Sequence, residues 1–131
     1  MKEKTKFLYF RVLSKRFFSW YAVFFYSLFI ICISIISPKA FLHLPYLMHL
    51  LIFDKILHFF MYFLLSFIVT NTLFLKKKEN LQPQAISFSY AFSLGLILEI
   101  TQFFMPFRSF ETADIFSNFL GSLIGCLLKI V

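Results

Sequence analysis

The sequence predicts an all-α fold: an integral membrane four-helix bundle, both termini cytoplasmic, with a polar pocket toward the extracytoplasmic leaflet. Three observations predict it. First, the chain is 60% hydrophobic and 22% aromatic, with 15% charged residues and a mean hydropathy of +0.83. A soluble domain carries about 25% charged residues, so these side chains cannot build a water-facing surface. Second, the apolar residues gather into four runs, each about long enough to cross the roughly 30 Å hydrocarbon core of a bilayer. Third, the polar residues inside those runs recur at helical spacing and share faces.

Residues 1–16 form a basic cytoplasmic segment, with Lys2, Lys4, Lys6, Arg11, Lys15 and Arg16 among interleaved apolar residues. Such a mixture suits either a surface helix at the headgroups or a tail without fixed structure. The four-span membrane domain then occupies residues 17–131. Its first span, about 17–36, is uncharged. It is too long for the apolar part of a signal peptide, and Ser37-Pro38-Lys39 is no small-residue cleavage site, so the segment is retained.

Residues 37–52 connect the first two spans, with His43 and His49 as polar anchors at the interface. A second span at about 53–75 ends at Lys76-Lys77-Lys78. The third, about 85–105, is closed by Pro106, and a short linker leads to the fourth, about 112–131. Of the 13 lysines and arginines, only Lys39, Lys55 and Arg108 fall on the side opposite the amino terminus. This asymmetry places both termini inside the cell. It also explains the net charge of +7 as a topology and headgroup signal rather than a nucleic-acid footprint, so membrane lipids are expected partners and nucleic acid is not. Cys32 and Cys126 lie within apolar runs and behave as small hydrophobes.

The candidate site follows from placing the polar residues on these spans. Asp54, Lys55, His58 and Tyr62 fall within an arc of about 100° on the second span. Glu99 and Gln102 share a face with Gly95 and Pro106 on the third. Asp114 and Asn118 share one with Gly121 and Gly125 on the fourth. All of these ends, and the Arg108 loop, lie on the same side of the membrane. Ionisable groups inside a bilayer are costly and usually face an enclosed or wet interior, where they carry function.

His58 and Glu99 are the candidate general acid and base, with Asp54 or Asp114 orienting them. Lys55 and Arg108 suit the capture of phosphate or carboxylate. Tyr62, Gln102 and Asn118 complete the substrate-binding set by hydrogen bonding. Each has a plainer alternative. Both aspartates sit near helix amino-terminal ends, where a carboxylate complements the dipole. Glu99 could simply lock the second and third spans together, and Arg108 could pair with Glu111. A metal could use His58 with Asp54, Glu99 and Asp114, but the chain has neither an HExxH motif nor cysteine pairs, so no metal or cofactor is expected. Gly121-x-x-x-Gly125 would allow close approach of either a neighbouring span or a second copy.

The run Asp54-Lys55-x-x-His58-Phe59-x-x-Tyr62, then Glu99-x-x-Gln102-x-x-x-Pro106-x-Arg108, then Asp114-x-x-x-Asn118-x-x-Gly121-x-x-x-Gly125, resembles the VanZ-like membrane proteins. The resemblance covers residues 54–125. It implies a multi-pass protein of the cytoplasmic membrane, in a family named after a protein associated with teicoplanin resistance. The expected function is binding of, or action on, a lipid-linked or phosphate-bearing envelope molecule at an outer-leaflet site, with an effect on glycopeptide susceptibility. Whether that includes catalysis is open. The competing expectation is a structural or lipid-presenting protein whose polar network only holds the bundle together.

Overall fold

A computed structural model describes residues 18–36, 51–76, 82–106 and 110–130. The amino-terminal segment, His43, His49 and Arg108 lie outside the described residues. Among the described residues there are four helices and no strand: α1 (Trp20–Ile35), α2 (Leu51–Leu75), α3 (Pro83–Phe103) and α4 (Thr112–Leu127).

Local chemistry sets the helix starts. Ser19 caps α1 by accepting the Ala22 amide at 3.3 Å, satisfying one of the donors a helix leaves open at its amino end. Pro83 opens α3, where its missing N–H costs nothing. It follows Gln82, whose φ of 48° turns the chain in the left-handed region. Some hydroxyls inside the helices bond backward: that of Ser117 donates to the Ala113 carbonyl at 2.9 Å and that of Thr101 to Ile97 at 2.8 Å. Such bonds keep a hydroxyl tolerable in an apolar setting.

Two helices, Asp54–Leu75 and Pro83–Phe103, are long and apolar enough to cross a membrane. The other two have 16 residues each, a rise of about 24 Å, shorter than the runs from which they were predicted. For α4 the reason is visible. The helix ends at Leu127, and Asn71 takes over the backbone beyond it. Asn71 Nδ2 donates to the Leu128 carbonyl at 3.1 Å, and its Oδ1 accepts the Ile130 amide at 2.9 Å. A fully buried side chain thus replaces the helical bonds that the apolar run could have continued.

α2 packs against each of the other three helices. Gly121 and Gly125 let α4 lie directly on it: a Cβ at Gly121 would run into the Phe59 carbonyl, and one at Gly125 into that of Phe63. The fourth-span glycine face is therefore consumed within one chain. On the neighbouring face of α2, Phe59, Phe63 and Phe67 stack at 6.1 and 6.3 Å. Leu65, Ile30 and Ala91 are fully buried in the core. Outward, Tyr21, Phe24, Phe25, Phe103, Phe104 and Phe116 are all more than half exposed. Large rings on the surface and amides in the interior are the distribution expected of a protein dissolved in lipid.

The contacts also establish how the helices run. The amino-terminal turns of α2 and α4 meet the carboxy-terminal turns of α3 through His58, Asn118 and Glu99. Gln102 Nε2 donates to the Ser34 carbonyl at 3.2 Å, bringing the carboxy end of α1 to the same place. One end of the molecule therefore collects the polar termini of all four helices.

Candidate functional site

The site is built from the i, i+4 ladder of α2. Asp54, His58 and Tyr62 rise along one ridge, with Lys55 beside them, and exposure falls with depth. The Asp54 side chain is 49% exposed, that of His58 12%, and that of Glu99 across the interface 1%. The cluster is a packed, graded polar column rather than an open chamber. Its mouth lies at Asp54, Lys55 and Glu111.

Lys55 is the charge hub of the mouth. Its ammonium lies 2.6 Å from Asp114 Oδ1, 2.5 Å from Glu111 Oε2 and 3.5 Å from Asp54 Oδ2. Three carboxylates from two helices thus share one cation. This changes the expectation that Lys55 stands ready for an incoming anion, because its positive charge is already committed. Glu111, expected only as a partner for Arg108, precedes α4 as its N-cap residue and joins the cluster. The clue in the sequence was its position three residues before Asp114, one turn away on the same side.

Deeper in, His58 Nδ1 lies 3.0 Å from Asn118 Oδ1 and 3.5 Å from Glu99 Oε1. Both neighbours offer acceptor oxygens, so in the neutral ring the hydrogen belongs on Nδ1 and the lone pair on Nε2. Asn118 is fully buried, and Glu99 Oε2 is sealed from solvent with no hydrogen-bond partner among the described residues. Gly95 makes room for this layer. A Cβ there would sit 3.0 Å from the Tyr62 ring and 3.1 Å from Asn118 Nδ2, tight enough to push one of them aside. The Tyr62 ring lies tilted over His58, with centroids 6.4 Å apart.

The structure thus brings together Asp54, Lys55, His58, Glu99, Asp114 and Asn118, with Tyr62 against them. It does not bring in Gln102, which faces Ser34 and ties α3 to α1 instead of orienting a charged group. Pro106 lies beyond the end of α3 and is exposed, off the stripe it was predicted to share with Glu99. Glu99 meets His58, not Lys55.

Beside the cluster, at the same end of the molecule, is an apolar groove of about 260 Å³ lined by Ile100, Phe103, Phe104 and Phe110. It combines the last turns of α3 with the residue just before Glu111. A polar mouth and an aromatic groove therefore adjoin through consecutive residues, an arrangement suited to a molecule with one polar and one greasy end.

A model of the VanZ/LLP1 family matches residues 33–131. Among curated proteins, the chain is similar to a protein of Schizosaccharomyces pombe described as uncharacterized, 32% identical over 78 residues. That alignment takes in 60% of this chain and 47% of the yeast protein, so the chain spans about half the length of the curated relative it matches. No solved structure matches.

Proposed function

The chain belongs to the VanZ/LLP1 family, and from that premise we propose that its graded polar column receives the head of a lipid-linked or phosphate-bearing envelope molecule. The observation that carries the proposal is the adjacency of Phe110 and Glu111. One lines the apolar groove; the other holds Lys55 at the polar mouth. An amphiphile lying along this seam would bury its chain against Phe103 and Phe104 and present its head to Asp54, Lys55 and His58. The family and the two apolar helices point to a membrane protein. Multiple crossings of the cytoplasmic membrane, with this end outermost, complete the proposal.

In this reading His58 and Glu99 handle a proton. Asn118 holds the imidazole so that Nε2 faces away from Glu99, and Nε2 is the basic atom available to a bound head group. Glu99, on the Nδ1 side, steadies the positive charge the ring acquires when Nε2 takes a proton. Arg108 is proposed as an anion contact from the adjoining linker. The same end would affect teicoplanin susceptibility by changing how envelope lipids are presented.

The test uses the full chain in nanodiscs with a photoactivatable polyprenyl phosphate and a neutral lipid of the same chain length. Crosslinking should favour the phosphate and map to the residues around Phe104 and Phe110. His58→Ala and Glu99→Gln should lower capture about 10-fold or more while thermal stability changes little. Equal capture of both lipids, or loss of folded protein in both variants, would replace this reading with a structural network. A chemical change in the captured lipid would add catalysis to binding.

A further inference from the structure

The mouth of the site poses an electrostatic problem for the ligand just proposed. Asp54, Glu99 and Asp114 place three carboxylates around His58, and Lys55 is already held by Asp114, Glu111 and Asp54. A phosphate approaching this region meets anions. The geometry points to a divalent-cation site formed by Asp54, His58 and Asp114, through which a phosphate head would be bridged to the protein. The bridge rests on the amphiphile reading; the cation site does not.

The donor geometry supports it. One ligand atom from each of the three residues lies within 4.8 Å of the other two. Bonds of about 2.0–2.2 Å to nitrogen and oxygen put donors on one octahedral ion roughly 3.0–4.3 Å apart, so small side-chain movements close the set. Asp54 and Asp114 come from the first turns of α2 and α4, and His58 lies one turn beyond Asp54 on α2, which Gly121 fixes against α4.

Two further features are independent of the acidic pair. His58 Nδ1 lies 3.0 Å from Asn118 Oδ1, and with the ring hydrogen on that side Nε2 is left to ligate, the ion then taking the place of the proton that Nε2 accepts in the ion-free site; metal-binding histidines almost always have their second nitrogen held by such an oxygen acceptor. Glu99, almost wholly buried, turns one oxygen toward the same Nδ1 at 3.5 Å, while the other has no partner among the described residues. A buried carboxylate left so poorly satisfied is stabilised by positive charge next door, which a cation on His58 would supply.

Lys55 explains how such a site stays assembled between ions. Its ammonium rests on two of the three ligands, at 2.6 Å from Asp114 and 3.5 Å from Asp54, and acts as a tethered cation. A divalent ion would displace it toward Glu111, itself a partner. One imidazole with several carboxylate oxygens suits ions between the oxygen-preferring Mn²⁺ and the nitrogen-tolerant Zn²⁺. Three protein ligands leave positions open for a phosphate oxygen.

Mn²⁺ alone is the probe, titrated into the purified full chain in nanodiscs of neutral lipid and followed by the electron paramagnetic resonance of free Mn²⁺, with Zn²⁺ as competitor. Saturable binding of one ion per chain is expected. Asp114→Asn and His58→Ala should weaken it at least 100-fold, and Asn118→Ala about 10- to 100-fold. Lys55→Met should tighten it several-fold, an effect that misfolding would not produce. Absence of saturable binding, or unchanged affinity in Asp114→Asn and Lys55→Met, overturns the cation site. Lipid capture that survives chelation also overturns the bridge and leaves the amphiphile reading standing. Saturable Mn²⁺ binding without phosphate preference upholds the cation site and removes the amphiphile reading.

Discussion

Lys55 shows how one side chain's environment decides the worth of its partners. Asp114 presents a side chain 6% exposed and Glu111 one 37% exposed to the same ammonium. The wetter pair is worth about 0.2–1 kcal/mol. A charged group bonded in a drier setting is worth about 1.5–3 kcal/mol. Asp114→Asn is therefore expected to lower unfolding stability in micelles by about 1.5–3 kcal/mol and Glu111→Gln by under 1 kcal/mol, as measured by denaturant titration. Equal losses would show that depth does not order the cluster. That Asp54 shares a face with His58, and Asp114 with Asn118, is readable from spacing, since residues four apart share a helical face. Their partners on other helices are not. Glu99 had cations to choose from in the sequence, and only the relative height of α2 and α3 selects His58.

At the scale of an element, α4 is defined by what it leans on. Its glycines meet backbone oxygen on α2, so a side chain at Gly121 cannot be absorbed by a rotamer change and must separate the helices. Overpacking of this kind costs about 1–3 kcal/mol, occasionally more. Gly121→Val should lower thermal stability accordingly and also weaken the contact of His58 Nδ1 with Asn118 Oδ1 one turn away, seen as faster exchange of the His58 ring hydrogen. A stable variant that has lost only self-association would instead assign the glycine face to a second copy. The sequence pattern was neutral between these two uses. The end of α4 was hidden for a different reason: hydropathy continues to Val131, whereas Asn71, far away in the chain, competes for the backbone after Leu127.

For the whole molecule, the arrangement of exposed aromatic rings around buried Asn71, Asn118, Glu99 and Asp114 is the inverse of a water-soluble protein's. It predicts opposite accessibility at the two ends. With Cys32 and Cys126 replaced by serine and alanine, a cysteine at Phe110 should react with an impermeant maleimide on intact cells, and one at Lys76 only after permeabilisation. Labelling of both from one side would remove the crossing of α3 and with it the outer-leaflet site.

By itself the sequence determined that the protein is helical, where its apolar segments fall, and which polar residues share a face, because hydropathy and a period of 3.6 residues are properties of neighbours along the chain. The tertiary structure decided that Lys55 spends its charge on Asp114 and Glu111, that Gln102 turns to Ser34, and that an aromatic groove adjoins the polar mouth. Those pairings depend on how helices are staggered and rotated against one another. That stagger comes from backbone contacts at Gly121 and Gly125 and from close fitting at Gly95, between residues tens of positions apart, which no local periodicity encodes.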